Sequence, residues 1–343
     1  MTSKTVSARW VATASVALVA LALTAFTSAA TIVVSFPAYD IVLREAFPQA
    51  KVVLLTKGVS DPHEYQLTAA DVEFLRSLNA SDALVLSMHV PFELRIAEMA
   101  KNGEIRAKVI DLTKIQLYLT YDGRLTTYSP GAHHHDHDSP GVNLHDHGVF
   151  PPNVFRLVEA VARTTGLRPS EEFMNRLSRL NATYCCRFSG RAVALTPTAE
   201  YVLYWLGYRD IVVFIKEPGV PPTPEDLRRA LEYARQGAPV LAVVVKGEAQ
   251  RIVDQFIQKS READVQPHVV VADFSKGYIS VLENATMKIY RMGASGTTAE
   301  APSAAGGQVV EWLITLLIAA VVVIVAVMIL ARRGWWRLSF NFR

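Results

Sequence analysis

Residues 31–55 read TIVVSFPAYDIVLREAFPQAKVVLL and predict one strand–helix–strand unit. Residues 31–35 are apolar and mostly β-branched, which is typical of a buried strand. Pro37 suits the first turn of a helix, which we expect to run to about Phe47. Residues 51–55 predict a second buried strand. A helix between two such strands is typical of a parallel sheet that is covered on both faces.

The same alternation continues in two blocks of the chain. In the first block, the further predicted elements are strands at 83–87 and 108–111 and helices at 68–78 and 91–101. Thr68 and Asp71 form a capping-box start for the first of these helices. In the second block, the predicted elements are strands at 192–195, 210–215, 240–245 and 269–272 and helices at 198–206, 223–236, 250–261 and 278–290. Between the blocks, the pattern predicts two helices, at 153–164 and 170–188, and the alternation lapses over residues 116–148.

These patterns predict an α/β fold. We expect two parallel-sheet lobes that face each other across a cleft and are bridged by helix, with a transmembrane helix near the C-terminal end. Residues 31–150 would form the N-terminal lobe, residues 151–188 the connecting helices and residues 189–292 the C-terminal lobe.

The sequences at both ends of the chain predict segments that contact a membrane. Lys4 and Arg9 precede an apolar run and the small residues at 28–30, which is the pattern of a signal peptide over residues 1–30. Residues 309–331 predict a transmembrane helix, since about 20 apolar residues cross a bilayer. The arginines in the tail, residues 332–343, place the tail in the cytoplasm and the lobes outside the cell membrane. Residues 293–308 are small and polar, as in a flexible linker.

The composition excludes some classes of protein. The net charge is +3, which does not favour a nucleic-acid partner. The two cysteines, Cys185 and Cys186, are neighbours, so no disulfide framework is expected. Asn79, Asn181 and Asn284 begin sequons that could carry glycans on the external side.

The segment at residues 133–147 reads HHHDHDSPGVNLHDH and holds six of the nine histidines with three aspartates. Imidazole and carboxylate groups bind first-row divalent metals. The alternative is a solvated polar loop. The composition favours contact with metal ions.

Three residues are predicted at the mouth of the cleft. His63 follows the second strand, His147 ends the histidine-rich segment, and Asp273 ends the last strand. Ligands of parallel α/β sheets collect beyond the carboxyl ends of the strands. We therefore expect these three side chains to form a site.

Three motifs resemble those of the zinc and manganese substrate-binding proteins of ABC importers. The first is GVSDPHEYQLTAADV at residues 58–72, the second is HGVFPPN at residues 147–153, and the third is VADFSKGY at residues 271–278. The resemblance implies two α/β lobes bridged by a long helix. It also implies that His63, His147 and Asp273 bind metal and that a permease is the partner.

The chain departs from this family pattern in two places. Thr196 stands where the family has histidine or glutamate, so the third ligand is open. Thr196, Glu200, Glu217, a water molecule or a histidine of the loop could take that position. The bridging helix is also interrupted near residues 166–169. The accessory histidines of the loop, which would gather metal at lower affinity, are His133, His134, His135, His137 and His145.

Together with the predicted signal peptide and transmembrane helix, the resemblance implies a membrane-anchored, extracytoplasmic receptor that binds Zn²⁺, or alternatively Mn²⁺, and that is not an enzyme. Its binding should weaken as the pH falls through roughly 6, because imidazole binds metal only when unprotonated. A metal-dependent hydrolase is a second hypothesis, although the sequence has no HExxH or GxSxG motif. A surface adhesin or glycoprotein with weak or lost metal binding is a third.

Overall fold

The first parallel sheet is formed by the first third of the chain. The computed structural model describes residues 30–296 except 60–61, 122, 128–140, 147, 218 and 246–248. The elements of this part are β1 (Thr31–Val34), α1 (Pro37–Ala46), β2 (Lys51–Leu54), α2 (Ala69–Ser77), β3 (Ala83–Leu86), α3 (Pro91–Lys101) and β4 (Lys108–Asp111). The strand order is β2-β1-β3-β4, and all pairs are parallel. This confirms the strand–helix alternation that the sequence predicts.

A small antiparallel sheet follows, which the sequence did not predict. Its strands are β5 (Tyr118–Thr120), β6 (Leu125–Thr126) and β7 (Val142–Asn143), in the order β6-β5-β7. Two or three residues are too few to show a periodicity of two in the sequence. The histidine-rich segment therefore connects β6 to β7 and continues beyond β7.

Two helices lead from the first half of the chain to the second, α4 (Pro151–Thr165) and α5 (Glu171–Tyr184). Gly166 ends α4 in the left-handed conformation, with φ of 74°. The Ser170 hydroxyl caps α5 by accepting a hydrogen bond from the Phe173 amide. The predicted interruption near residues 166–169 is therefore confirmed, while α5 ends four residues before the predicted end.

The second parallel sheet has the order β11-β10-β8-β9. Its elements are β8 (Arg191–Ala194), α6 (Pro197–Leu206), β9 (Asp210–Val213), α7 (Pro224–Arg235), β10 (Val240–Val244), α8 (Ala249–Glu262), β11 (Val269–Asp273) and α9 (Tyr278–Gly296). The central strands β8 and β10 are buried along nearly their whole length, as their continuous apolar sequences predict. Each fully buried valine or leucine of these strands contributes about 1.5–3 kcal/mol when it is removed from water.

The chain divides after Tyr290, and the two parallel sheets and the antiparallel sheet all belong to the first unit, Met1–Tyr290. The predicted signal peptide, apart from Ala30, and the predicted transmembrane helix at 309–331 lie outside the described residues. Among the helices that the structure describes, none combines the length and apolar character needed to cross a membrane.

The cysteines and the sequons occupy ordinary positions on the fold. Cys185 and Cys186 are both free thiols. Asn79 and Asn284 are exposed. The side-chain oxygen of Asn181 instead accepts a hydrogen bond of 2.9 Å from the Trp205 indole.

Candidate metal site

The carboxyl ends of β1, β2 and β3 lie at one edge of the first sheet and carry three rings. Phe36 follows β1, His63 lies in the 3₁₀ turn Pro62–Glu64 after β2, and His89 follows β3. Because β1 lies between β2 and β3, the backbones of the two outer strands are about 9–10 Å apart. The two imidazoles approach each other across Phe36, which is stacked on His89 at 5.0 Å and meets His63 edge-on at 5.4 Å.

A third imidazole, that of His145, joins His63 and His89, and these three residues are called the imidazole cluster below. The Nε2 atoms of His63 and His89 are 3.3 Å apart. The ring centroid of His145 lies 5.8 Å from that of His63 and 6.4 Å from that of His89. The cluster therefore combines one residue from the end of β2, one from the end of β3 and one from the loop after β7.

The small antiparallel sheet positions His145. Asn143 of β7 pairs with Leu119 of β5 and is fully buried. Its side-chain oxygen accepts a hydrogen bond from the His145 amide at 3.0 Å. Its side-chain nitrogen donates to a Glu200 carboxylate oxygen at 2.7 Å and to the Pro197 carbonyl at 2.9 Å. His145 is therefore held by a strand that is itself fastened to α6.

The next residue, Asp146, fixes the turn from the other side. Its carboxylate is buried and accepts hydrogen bonds from the Phe150 amide at 2.8 Å and from the Asn153 side chain at 2.9 Å. Burial raises the pKa of Asp146 to about 7, against the effect of these donors. Gly148 has φ of 86°, and a Cβ atom there would lie 2.8 Å from the Tyr39 ring. The turn that carries His145 therefore has little freedom to move.

Glu217, which follows β9, brings an acid to the cluster. Its Oε2 atom lies 3.2 Å from His145 Nε2. This hydrogen bond and the charges of His145 and His63 hold the pKa of Glu217 below its ordinary value. The side chain is 59% exposed, so it lies at the mouth of the site.

His89 is held by two polar groups behind it. The Ser87 hydroxyl oxygen lies 2.7 Å from His89 Nδ1 and 2.6 Å from the Oε2 atom of Glu93. Glu93 is fully buried, and burial raises its pKa. Burial, together with the neighbouring His63 and His145, lowers the pKa of His89 to about 3. His89 is therefore a neutral imidazole at physiological pH, the form that binds metals.

The structure places the predicted site residues in different surroundings. It brings together His63, His145 and Glu217. The carboxylate of Asp273 instead accepts hydrogen bonds from the amide and hydroxyl of Ser275 and pairs with Lys276 at 3.2 Å. Among the described residues, these are the hydrogen bonds and the ion pair of the Asp273 carboxylate. In this conformation Asp273 is occupied by its own turn.

Thr196 and Glu200 are also engaged elsewhere. The Thr196 hydroxyl accepts a hydrogen bond from the Val243 amide at 3.2 Å and lies 3.4 Å from the Val243 carbonyl, so it links β8 to β10. Glu200 is 2% exposed and accepts from Asn143. Burial raises the pKa of Glu200 to about 7. Of the three residues considered for the third ligand, Glu217 is the one in contact with the imidazole cluster.

The remaining predicted histidines lie outside the described residues. They are His147, His133, His134, His135 and His137. The sequence interpretation treated His145 as one of the loop histidines, which are accessory residues or candidates for the third ligand, and it did not consider His89. The available signal for His89 was its place just after β3, at the same edge of the sheet as His63.

The donors are arranged as two close pairs, His63 with His89 and His145 with Glu217. Among the residues that the structure describes, no group of three or more histidine, cysteine, aspartate or glutamate side chains is already arranged to hold a metal ion. Two nitrogens bound to one tetrahedral zinc ion lie about 3.3–3.4 Å apart, given zinc–nitrogen distances of about 2.0–2.1 Å. The 3.3 Å between His63 and His89 fits that separation, and an approach of the second pair would complete a nitrogen-rich donor set.

Comparison with known proteins supports the fold. No protein-family model matches the chain, and no curated protein matches it in sequence. Zinc-bound AdcA from Streptococcus pneumoniae is similar in structure, with a TM-score of 0.50 and 18% identity over 77% of this chain, which spans 58% of AdcA. FpvC from Pseudomonas aeruginosa in complex with Mn²⁺ has a TM-score of 0.50 and 18% identity over 78% of this chain and 100% of its own.

A third similar structure has a different description. The laminin-binding protein Lbp of Streptococcus pyogenes has a TM-score of 0.50 and 10% identity over 77% of this chain and 99% of its own. At these identities the likeness establishes the fold alone. The α/β fold with parallel sheets and helices is the fold of solute-binding proteins that hold divalent metals, and it is also the fold of a laminin-binding protein.

Proposed function

We propose that the protein is an extracytoplasmic solute-binding protein that captures a divalent metal ion and delivers it to the permease of an ABC importer. The observation that carries the proposal is the convergence of His63, His89 and His145 at the carboxyl edge of the first sheet. The bound ion is the cargo of this protein, and the protein carries out no reaction on it.

Zinc is the ion that this donor set fits best. Neutral imidazole binds zinc well, and the Irving–Williams order favours zinc over manganese at nitrogen donors. Manganese is the alternative, since it prefers sites with more oxygen ligands, and the Glu217 carboxylate contacts the His145 ring of the cluster. We assign direct binding to His63 and His145, with Glu217 at the mouth, and we keep His147, which lies outside the described residues, as a proposed ligand.

The ends of the chain complete the proposal. A signal peptide at residues 1–30 would send the lobes across the membrane, and a helix at residues 309–331 would keep them anchored there. The C-terminal tail would be cytoplasmic. Such an anchor would hold the binding protein close to its permease.

The two alternatives are less well supported. A hydrolase needs a general base beside an open position on the metal, whereas the acid at this site, Glu217, is bonded to His145. An adhesin of the same fold does not need a cluster of imidazoles at the edge of the sheet. The arrangement of His63, His89 and His145 therefore favours the metal receptor.

Zinc affinity of the full-length protein tests the proposal. The first equivalent of zinc should be measured by competition with a chromophoric chelator, because histidines of the loop can bind further ions weakly. The double variant His63→Ala/His145→Ala should bind the first ion at least about 100-fold more weakly, which corresponds to about 2.7 kcal/mol. His268→Ala is the matched control, since His268 is exposed and precedes β11. Unchanged affinity in a correctly folded double variant would reject the proposal.

A further inference from the structure

His89, Ser87 and Glu93 form a continuous chain of hydrogen bonds that ends at the imidazole cluster. We propose that His89 is a metal ligand through Nε2 and that Ser87 and Glu93 are positioning residues that fix its tautomer. The inference rests on the proposed function, because it names a further ligand of the same site and the groups that prepare it.

The chain of hydrogen bonds begins at the buried carboxylate of Glu93. Its Oε1 atom accepts a hydrogen bond from the Ser87 amide at 2.7 Å, and its Oε2 atom accepts one from the His89 amide at 3.3 Å. Glu93 also lies in the first turn of α3, where the helix dipole favours a negative charge. Burial raises the pKa of Glu93, and hydrogen bonds from Ser35, Ser87 and His89 act against that shift. In its contacts with Ser87 and His89 the Glu93 carboxylate is the acceptor.

The Ser87 hydroxyl lies between the Glu93 carboxylate and the His89 ring and determines which ring nitrogen carries the proton. A hydroxyl has one proton to donate, and Ser87 donates it to Glu93 Oε2 at 2.6 Å. The contact of 2.7 Å between the Ser87 oxygen and His89 Nδ1 then requires the proton to be on Nδ1. In a neutral imidazole with Nδ1–H, the lone pair lies on Nε2.

The lone pair on His89 Nε2 faces the other imidazoles of the site. His89 Nε2 lies 3.3 Å from His63 Nε2, so with its proton on Nδ1 it accepts a hydrogen bond from that ring. Phe36, stacked on His89 with 21° between the ring planes, keeps the ring in this orientation. Metal-bound histidines commonly donate their second N–H to a carboxylate or another acceptor, which fixes the tautomer, and here Ser87 takes that place with Glu93 behind it.

With His89 as a ligand, the metal site does not need a histidine at position 196. The Thr196 hydroxyl is bonded to Val243, at the edge of the second sheet. His89 offers an imidazole nitrogen from the first sheet instead. The nitrogen donors, those of His63, His89 and His145, would then all come from the part of the chain before the connecting helices.

Zinc affinity and the tautomer of His89 in the full-length protein together test the inference. Removal of the ligand in His89→Ala should weaken binding of the first zinc ion about 100-fold. Ser87→Ala and Glu93→Gln should weaken it about 10–100-fold, the range typical of groups that orient a metal-bound histidine. Ser87→Thr keeps the hydroxyl and should restore most of the affinity. Matched controls are Ser81→Ala, in an exposed turn, and Glu98→Gln, on the exposed face of α3.

The tautomer should be read by long-range ¹H–¹⁵N NMR correlations of the metal-free protein. We expect His89 to carry its proton on Nδ1 in the wild type and to lose this preference in Ser87→Ala. A proton on Nε2 in the wild type would overturn the inference, and this readout holds even if a variant does not fold.

The two proposals fail in different ways. If His63→Ala/His145→Ala loses zinc while His89→Ala stays within threefold of the wild type, the inference about His89 fails and the proposed function stands. If the wild-type protein binds neither zinc nor manganese, the proposed function fails, and His89 is then no ligand.

Discussion

Phe36 and Thr196 occupy equivalent places in the two halves of the molecule, yet they do different things. Each follows the first strand of its sheet, each precedes a proline that begins a helix, and neither caps that helix with its side chain. Their backbone angles are nearly the same, with φ and ψ of −118° and 145° for Phe36 and −123° and 154° for Thr196. Phe36 packs against two histidines, whereas the hydroxyl of Thr196 bonds to the backbone of Val243.

The comparison extends to the rest of both edges. The edge of the first sheet presents His63 and His89 to the site. At the edge of the second sheet, Asp273 is bonded within its own turn, and Glu217 is the residue that reaches the imidazole cluster. The two halves therefore share a backbone plan but differ in the side chains at the edges of their sheets. A binding function depends on those side chains and not on the fold.

The largest difference expected between the two positions is in folding stability. Phe36 is 3% exposed and packs on two rings, so Phe36→Ala should lower the free energy of unfolding by about 3–5 kcal/mol. Thr196→Val removes the hydroxyl bonds to Val243 and should lower it by about 1–2 kcal/mol. Denaturant unfolding of both metal-free variants measures this. A larger loss for Thr196→Val would mean that the two edges contribute to stability in the opposite order.

The next prediction compares zinc affinity in two variants, one with a substitution in each half of the chain. His145→Ala should weaken the first zinc ion at least about 50-fold, or about 2.3 kcal/mol, since it removes a nitrogen donor. Asp273→Asn keeps the shape of the side chain and should change the affinity less than threefold. Competition titrations at pH 7.5 measure both. Equal losses in the two variants would show that Asp273 leaves Ser275 and Lys276 to join the bound ion.

The next prediction tests whether Glu200 is a buried acid or a metal ligand. Its folded-state pKa of about 7 lies above the ordinary value of 4.5, so stability is fully present below pH 4.5 and is lost as the pH rises through about 7. Glu200→Gln stays neutral, and its amide oxygen can still accept the bond from Asn143. The variant should therefore gain about 2 kcal/mol relative to the wild type between pH 5 and pH 8.

Unfolding measured in denaturant at the two pH values checks this difference. Asp146, whose pKa is also raised to about 7, is present in both proteins, so its effect cancels. Zinc affinity should stay within threefold of the wild type. A loss of zinc binding in Glu200→Gln would instead identify Glu200 as the missing third ligand.

The sequence predicts the two sheets well because their strands are continuous apolar runs. It also predicts where helices begin, as at Thr68 and Thr223, since each cap uses an interaction between residues three apart in the chain. The antiparallel sheet was missed because its strands are held by pairing between Leu119 and Asn143, which are far apart in sequence. Local patterns do not contain that information.

The site was predicted only in part for a related reason. His63 was predicted as a ligand because its motif resembles that of a known family, and the structure places it beside His89. His89 and Glu217 carry no motif, and they become neighbours of the cluster through the order of the strands and the path of the loops. His145 was treated as one histidine among six, because the sequence does not show that Asn143 anchors it.

The smallest expected effect concerns Glu217, the acid that the second half of the chain contributes. Because its side chain is 59% exposed, water screens its charge, and Glu217→Gln should weaken the first zinc ion only about fivefold, or about 1 kcal/mol. Glu73→Gln, on the exposed face of α2, is the matched control. A loss as large as that of His145→Ala would show that Glu217 becomes buried when the ion binds. The first sheet would then need the second to close over the metal, and the contrast between the two edges would hold only for the metal-free protein.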